Sequence, residues 1–256
     1  MINKTALKKI RIILVEPAGP LNVGSVARVM KNMGLNQLIL VKPHCDRLSD
    51  EARRMAVHGM DILEQAQVLH SLPEALEGCQ RVMATTARSR SLPTNLETPR
   101  EALPWLLTDN LNTALIFGPE DRGLNNEELK YAQRFVCIRA NPDYSSLNLA
   151  QAVAVCTYEL YQAVEHPLED NRDSSLEAAS FEVLEGYYQH LEAVLLKIGY
   201  LYPHTAKARL EKFRRLYSKA NLTTEEVALL RGILRQVDWG WQLLPPKESQ
   251  QGKEPS

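Results

Sequence analysis

Apolar and polar positions repeat on two different periods along this 256-residue chain, and the changes of period predict its elements. Residues 10–16 (IRIILVE) are a β-branched run that reads as a buried strand. From Asn22 to Met33 the apolar residues Val23, Val26, Ala27, Met30 and Met33 fall at helical spacing, with Asn22 as the expected cap and Gly34 placed to end the helix. Residues 37–41 (QLILV) predict a second strand, and helical material is expected across residues 50–67. Ser71 opens a short helix that Gly78 closes. Residues 81–85, 113–117 and 135–138 predict further strands. Thr98-Pro99-Arg100-Glu101 is a capping box with proline at the first helical position, and residues 125–129 start another helix. A long helix, capped by Ser145 or Ser146, is expected to run to about Val164. This alternation predicts an α/β domain, a mostly parallel sheet with helices on both faces.

After Val164 the pattern changes. Residues 165–179 are polar, contain Pro167, and read as a linker. Helical spacing then returns near residues 181–198, 205–217 and 225–239, the last opened by the capping box Thr223-Thr224-Glu225-Glu226. The expected organisation is an α/β domain over 1–164, a linker over 165–179, a small all-α module over 180–244 and a disordered tail over 245–256.

Composition narrows the function classes. A net charge of −1 excludes a polycation, so affinity for nucleic acid must come from a local patch. Between residues 197 and 219 lie Lys197, Lys207, Arg209, Lys212, Arg214, Arg215 and Lys219 against a single Glu211, with Tyr200, Tyr202, Phe213 and Tyr217 interleaved. Such a run is either a solvated helical face or a phosphate-binding module. The second reading makes Arg209, Lys212, Arg214 and Arg215 RNA-binding candidates. Cys45, Cys79, Cys137 and Cys156 lie too far apart in sequence for a zinc motif, and Cys79 and Cys137 read as small core residues of a reduced protein. No metal site is expected. The first residues lack a signal-peptide pattern and no apolar run reaches membrane-spanning length, so the cytoplasm is the expected location, with no membrane partner.

The candidate chemistry sits at strand ends, where a parallel sheet holds its ligands. No G-x-G-x-x-G is present. Residues 19–26 have P-loop glycine spacing, but Ser25 stands where the lysine belongs and Val26 where a magnesium-binding hydroxyl belongs, which disfavours phosphoryl transfer from ATP. Arg28 is either a solvated cation or a group that binds an RNA phosphate or polarises a ribose. In residues 117–124, Gly118 lets a ligand approach the backbone and Gly123 permits a positive φ, whereas a simple turn leaves Glu120, Asp121 and Arg122 unexplained. Residues 141–148 and the Thr85-Thr86-Ala87-Arg88-Ser89-Arg90 loop complete a set of three small-residue loops, each after a different strand.

In order along the chain, N-x-G-S-x-A-R from Asn22, F-G-x-E-x-x-G-L from Phe117 and N-P-x-x-S-S-L-N from Asn141 resemble the three motifs of the SPOUT methyltransferases, in their TrmH-like branch. The resemblance runs from about residue 10 to residue 234. It implies a trefoil-knotted α/β domain, a homodimer, and S-adenosyl-L-methionine bound in the knot for 2′-O-methylation of RNA. Matched residue by residue, it places cofactor contacts on Thr85, Thr86, Ala87, Gly118, Ile138, Ser145, Ser146 and Leu147. Asn22, Glu120 and Asn148 are then site-organising and Arg28 is the catalytic arginine. The T-T-A-R-S-R loop and the helical extension narrow the likeness to members that methylate cytidine or uridine 32 of the tRNA anticodon loop, with Arg88 and Arg90 gripping its backbone; tRNA, not DNA, is the implied partner. Thr94-Asn95 after Pro93 departs from the bulkier pattern expected there. The competing readings are a related enzyme acting on ribosomal RNA or another tRNA position, and a non-catalytic RNA-binding protein.

Overall fold

In the computed structural model the strands Ile10–Val15 (β1), Gln37–Val41 (β2), Gln67–Leu69 (β3), Arg81–Thr85 (β4), Thr113–Phe117 (β5) and Arg134–Val136 (β6) form one sheet. Its order is β3-β2-β1-β5-β4-β6 and every one of these pairings is parallel. The structure describes residues 5–87, 96–107, 111–166, 178–218, 220 and 222–243. Arg88, Arg90, Pro93, Thr94, Asn95, Lys219, most of the expected linker and the tail from 245 lie outside them.

Strand residues alternate between two apolar layers, as the pleat requires. Ile10, Ile12 and Leu14 of β1 pack with Val23, Met30 and Val153 on one face, while Ile13 and Val15 pack with Ile39, Val41, Ala75 and Leu76 on the other. Both faces are covered, which is why these strands read as continuous apolar runs rather than as half-polar ones.

The helices differ from expectation in informative ways. Helix α1 spans Pro20–Asn32, with Gly19 as N-cap and Pro20 at the first helical position. Asn22 is therefore not the cap; it lies in the first turn, and its side chain is available to reach another segment. A Cβ on Gly24 of α1 would stand 2.2 Å from the Ala52 carbonyl oxygen, so α1 meets α2 (Asp50–Ala56) at backbone distance. The single helical stretch expected over 50–67 is instead α2, a 3₁₀ turn at Val57–Gly59, α3 (Met60–Gln65) and the short edge strand β3. Val57 breaks the helix with φ of 49°, and a three-residue edge strand is too short to show a period of two.

Short helices α4 (Leu72–Leu76), α5 (Pro99–Ala102) and α6 (Asn126–Leu129) start at Ser71, Thr98 and Asn125, with full capping boxes at Thr98 and Asn125. Helix α7 spans Leu149–Glu165 and is capped by Asn148, whose Oδ1 accepts from the backbone N–H of Ala150 at 2.9 Å and of Gln151 at 3.4 Å. The expected serine cap is thus corrected: Ser145 and Ser146 precede the helix by several residues and their hydroxyls are not used to start it. Strand β6 ends at Val136, earlier than expected, which leaves Ile138 in the following loop.

Helices α8 (Phe181–Lys197), α9 (Pro203–Ser218) and α10 (Thr224–Gln242) enclose their own core of Tyr187, Leu191, Val194, Leu210, Val227 and Leu234. The start of α8 is tied to the sheet. Phe181 donates its N–H to the Cys79 carbonyl at 2.7 Å, its ring meets Tyr131 edge-on, and its side chain joins the second apolar layer. Cys79 and Cys156 are buried, whereas Cys137, expected in the core, is only half-buried.

Candidate active site

Parallel strands deliver their following loops to one edge of the sheet. Here the loops after β4, β5 and β6 meet around a cavity of about 1030 Å³. It is lined by Thr85, Thr86 and Ala87 at and just after the end of β4, by residues 118–124 after β5, and by Ile138, Ser145, Ser146 and Leu147 after β6. All eight residues expected to contact a cofactor therefore face one space. A cavity of about 1270 Å³ between β4, β6 and the helical module contains none of them. The chemistry of the lining singles out the first.

The loop after β5 doubles back tightly. A Cβ on Gly118 would stand 2.3 Å from the Leu124 backbone nitrogen, and Gly123 takes φ of 66°. No other residue type fits at Gly118 without moving the loop. The resulting cradle is lined by backbone groups and the two serines together with the apolar Leu124, Ile138 and Leu147. A few polar groups set in apolar walls suit a ligand such as S-adenosylmethionine, whose adenine needs apolar contact and whose ribose and amino-acid ends need hydrogen bonds. The Thr85 hydroxyl itself donates to the Ile116 carbonyl at 3.0 Å, so this side chain is held by the sheet.

Three polar side chains from distant segments join the loops. Asn22 of α1 donates from Nδ2 to Glu120 Oε1 at 2.8 Å. Asn148 donates from Nδ2 to Asn22 Oδ1 at 2.9 Å while its own Oδ1 caps α7. Glu120 also accepts from the backbone N–H groups of Ala18 at 3.2 Å and Gly19 at 3.3 Å. Burial acts to raise the Glu120 carboxyl, but the bonds from Asn22 and the backbone outweigh it and hold the group below its ordinary value. The carboxylate is the form that accepts all three donors. Arg28 stands exposed on the same helix as Asn22, six residues further on.

A second link was not legible in the motifs. Arg122 donates from Nη2 to Glu16 Oε2 at 2.7 Å, and its two terminal nitrogens reach both oxygens of Glu128 at 2.9 and 3.0 Å. Glu16 lies at the end of β1, more than a hundred residues away in sequence, and no spacing rule pairs the two.

The basic run after the sheet is less uniform than its sequence suggests. Arg214 points inward, paired with both oxygens of Glu185 and stacked over Tyr188 at 4.3 Å from the ring centroid. Arg209 lies over Tyr200 and donates to its carbonyl at 3.1 Å. Arg215 pairs with Glu211, Lys207 with Glu127 and Lys197 with Asp238. Lys212 stands exposed. Arg88 and Arg90, the other expected RNA contacts, lie outside the described residues. Among the described residues no group of His, Cys, Asp or Glu is arranged to hold a metal, and no helix is long and apolar enough to cross a membrane.

Comparison with known proteins bears on both parts of the chain. Residues 9–158 match the SpoU rRNA Methylase family, and residues 182–253 match the TrmJ tRNA methyltransferase C-terminal domain. The tRNA (cytidine/uridine/adenosine-2′-O-)-methyltransferase TrmJ of Pseudomonas aeruginosa is 41% identical over 242 residues, 90% of this chain and 94% of that protein. The crystal structure of TrmJ from Z. mobilis ZM4 superposes with a TM-score of 0.77 at 33% identity, covering 89% of this chain and 98% of that one. A structure concerned with 2-OH methylation of C/U34 on tRNA aligns at 30% identity and TM-score 0.50, covering 61% of this chain and 96% of its own. That neighbour spans far less of this chain than the TrmJ proteins do. A match over both the loop-bearing sheet and the helical module, at this identity and coverage, means that the chain belongs to the SpoU methylase family, in its TrmJ branch of tRNA 2′-O-methyltransferases.

Proposed function

We propose that the protein methylates the ribose 2′-hydroxyl of cytidine or uridine 32 in the tRNA anticodon loop, in the cytoplasm, with S-adenosyl-L-methionine as donor. The observation that carries this reading is the Glu120–Asn22–Asn148 link. It draws the loop after β5 and the start of α7, which frame the cavity, onto the helix that bears Arg28. Bound in that cavity, the cofactor supplies a methyl group activated on a sulfonium. Thr85, Thr86, Ala87, Gly118, Ile138, Ser145, Ser146 and Leu147 hold it; Glu120, Asn22 and Asn148 keep the loops in register. Arg28, a donor fork without acceptors, grips a phosphate beside the target ribose and holds the hydroxyl in line with the methyl group.

The helical module and the cations Arg88, Arg90, Arg209, Lys212 and Arg215 supply the tRNA grip in this reading. Arg214, held by Glu185, serves the module's stability instead. The chain acts as a homodimer; α1 and α7 pack on each other and expose Leu21 and Tyr158, apolar surface suited to a second copy.

Ribose-methylation mapping of tRNA from cells with and without the protein tests the target. The expected result is loss of the mark at nucleotide 32. Loss at nucleotide 34 instead, or in ribosomal RNA, with nucleotide 32 unaffected, overturns the position. The Pseudomonas relative's name includes adenosine, so substrates carrying each base at 32 belong in the assay.

A further inference from the structure

We propose that Arg122 is a positioning residue for methyl transfer: by holding Glu16 it fixes the cofactor loop against the turn that starts α1, and so sets the cofactor's place relative to Arg28. The turn from Glu16 to Gly19 is gripped twice by the same loop. Arg122 takes the Glu16 carboxylate at 2.7 Å, and Glu120 takes the backbone N–H groups of Ala18 and Gly19. The second grip uses a motif residue. The first does not: Arg122 occupies a position that F-G-x-E-x-x-G-L leaves open, and Glu16 precedes the first motif altogether.

The geometry is that of a clamp rather than a passing surface pair. Arg122 is fork-paired to Glu128, whose Oε2 also accepts from the Asn125 N–H at 2.7 Å, so the far side of the clamp is anchored in the capping box of α6. Arg122 also donates to the Gly123 carbonyl at 3.0 Å, within the loop's own neck. Both carboxylates and the guanidinium are at most one-third exposed, and the bonds from Glu128 and Glu16 hold the guanidinium above its ordinary range. On the near side, Glu16 has φ of 48°, a left-handed conformation that a residue with a side chain keeps only when its surroundings enforce it. Its N–H donates to the Val41 carbonyl at 2.7 Å and its carboxylate accepts from Arg122, which together enforce it. Arg122 lines the cofactor cavity, yet its terminal nitrogens are directed at Glu16, Glu128 and Gly123. It acts on the cofactor through the loop, not as a ligand.

The test uses full-length protein with tRNA: Arg122→Ala, Arg122→Lys, Glu16→Ala, Glu16→Gln and the double alanine variant. Single-turnover methyl transfer is measured at saturating S-adenosylmethionine, cofactor affinity by calorimetry, and Tm, with assays run well below each Tm. Displacing reacting groups lowers the rate even when both substrates are bound, here by about tenfold for each alanine variant. The double variant falls no further than Arg122→Ala alone, because the Glu16 contact is already lost in that variant. Arg122→Lys, which keeps the charge but not the fork, and Glu16→Gln, which keeps an acceptor, each recover part of the rate. A normal rate at saturating cofactor overturns the proposal, whether Tm falls (a structural role) or only affinity falls (a direct ligand contact). Additive losses in the double variant also overturn it, since Arg122 would not then act through Glu16.

Discussion

The loop end of the sheet and the basic face of the helical module carry charge in opposite ways. At the loop end, charged and amide side chains from segments far apart in sequence bind one another: Glu120 to Asn22, Asn22 to Asn148, Arg122 to Glu16. In the module several cations are held by neighbours of the same module, Arg214 by Glu185 and Arg215 by Glu211. Long-range pairs build a rigid cavity whose parts must all be present. Local pairs leave a surface whose cations differ in availability, so counting them overstates what RNA meets. The two regions should accordingly respond to substitution in different currencies, turnover in one, stability or salt dependence in the other.

The sharpest way to break the contrast is at Arg28. Arg28→Ala is expected to lower methyl transfer by about 10³-fold, as loss of a key charge-stabilising donor does, while calorimetry still shows cofactor binding. Near-normal turnover would remove Arg28 from the site. Asn22→Ala cuts the link between α1 and both loops without touching the cavity wall. A displacement of the order of one ångström costs about 10²-fold in rate, and that is the expected loss at saturating substrates.

In the module the decisive pair is Arg214→Ala against Lys212→Ala. The first leaves the Glu185 carboxylate without its partner in a largely buried site and is expected to cost about 3 kcal/mol of stability, read by denaturant unfolding. The second should leave stability unchanged but reduce the salt slope of tRNA binding by about 1. Equal effects of the two on salt slope would show that charge count, not orientation, governs the face.

The smallest effect concerns pH. Glu120 is held below its ordinary value near 4.5, so its contribution is complete above that value and is lost as pH falls through the lower folded value. The stability difference between the protein and Glu120→Gln should be constant from neutral pH down to about 5. It should shrink only in more acid solution. A difference that already fades near neutrality would mean that the carboxylate is not held as the bonds from Asn22 and the turn indicate.

Much of the sheet was legible because each strand is an apolar run ended by a turn residue, and the loops were legible because their glycines, serines and amides sit directly after those runs. What escaped has physical reasons. Strand β3 is three residues at an edge, too short for periodicity. The start of α7 is ambiguous in the sequence because serines and asparagine are all good caps, and only the geometry assigns that role to Asn148. That choice mattered, since it left both serines beside the cavity. Asn22 has the character of a cap for the same reason, whereas Pro20 starts the helix earlier. Glu16 carried no signal at all, because its partner lies across the fold. Arg214 looked like its neighbours in sequence and differs only in the face of α9 that it occupies.

The strand order has a consequence for the order of synthesis. β1 sits between β2, which follows it closely, and β5, which emerges about a hundred residues later. The β1–β2–β3 half can associate early, but its exposed edge waits for residues 113–117, and the last cavity loop arrives only with Asn148. Such non-local closure is slow, and an open strand edge is prone to pair wrongly in the interval. A nascent chain therefore carries the Arg28 helix through about a hundred further residues of synthesis before the cavity can close.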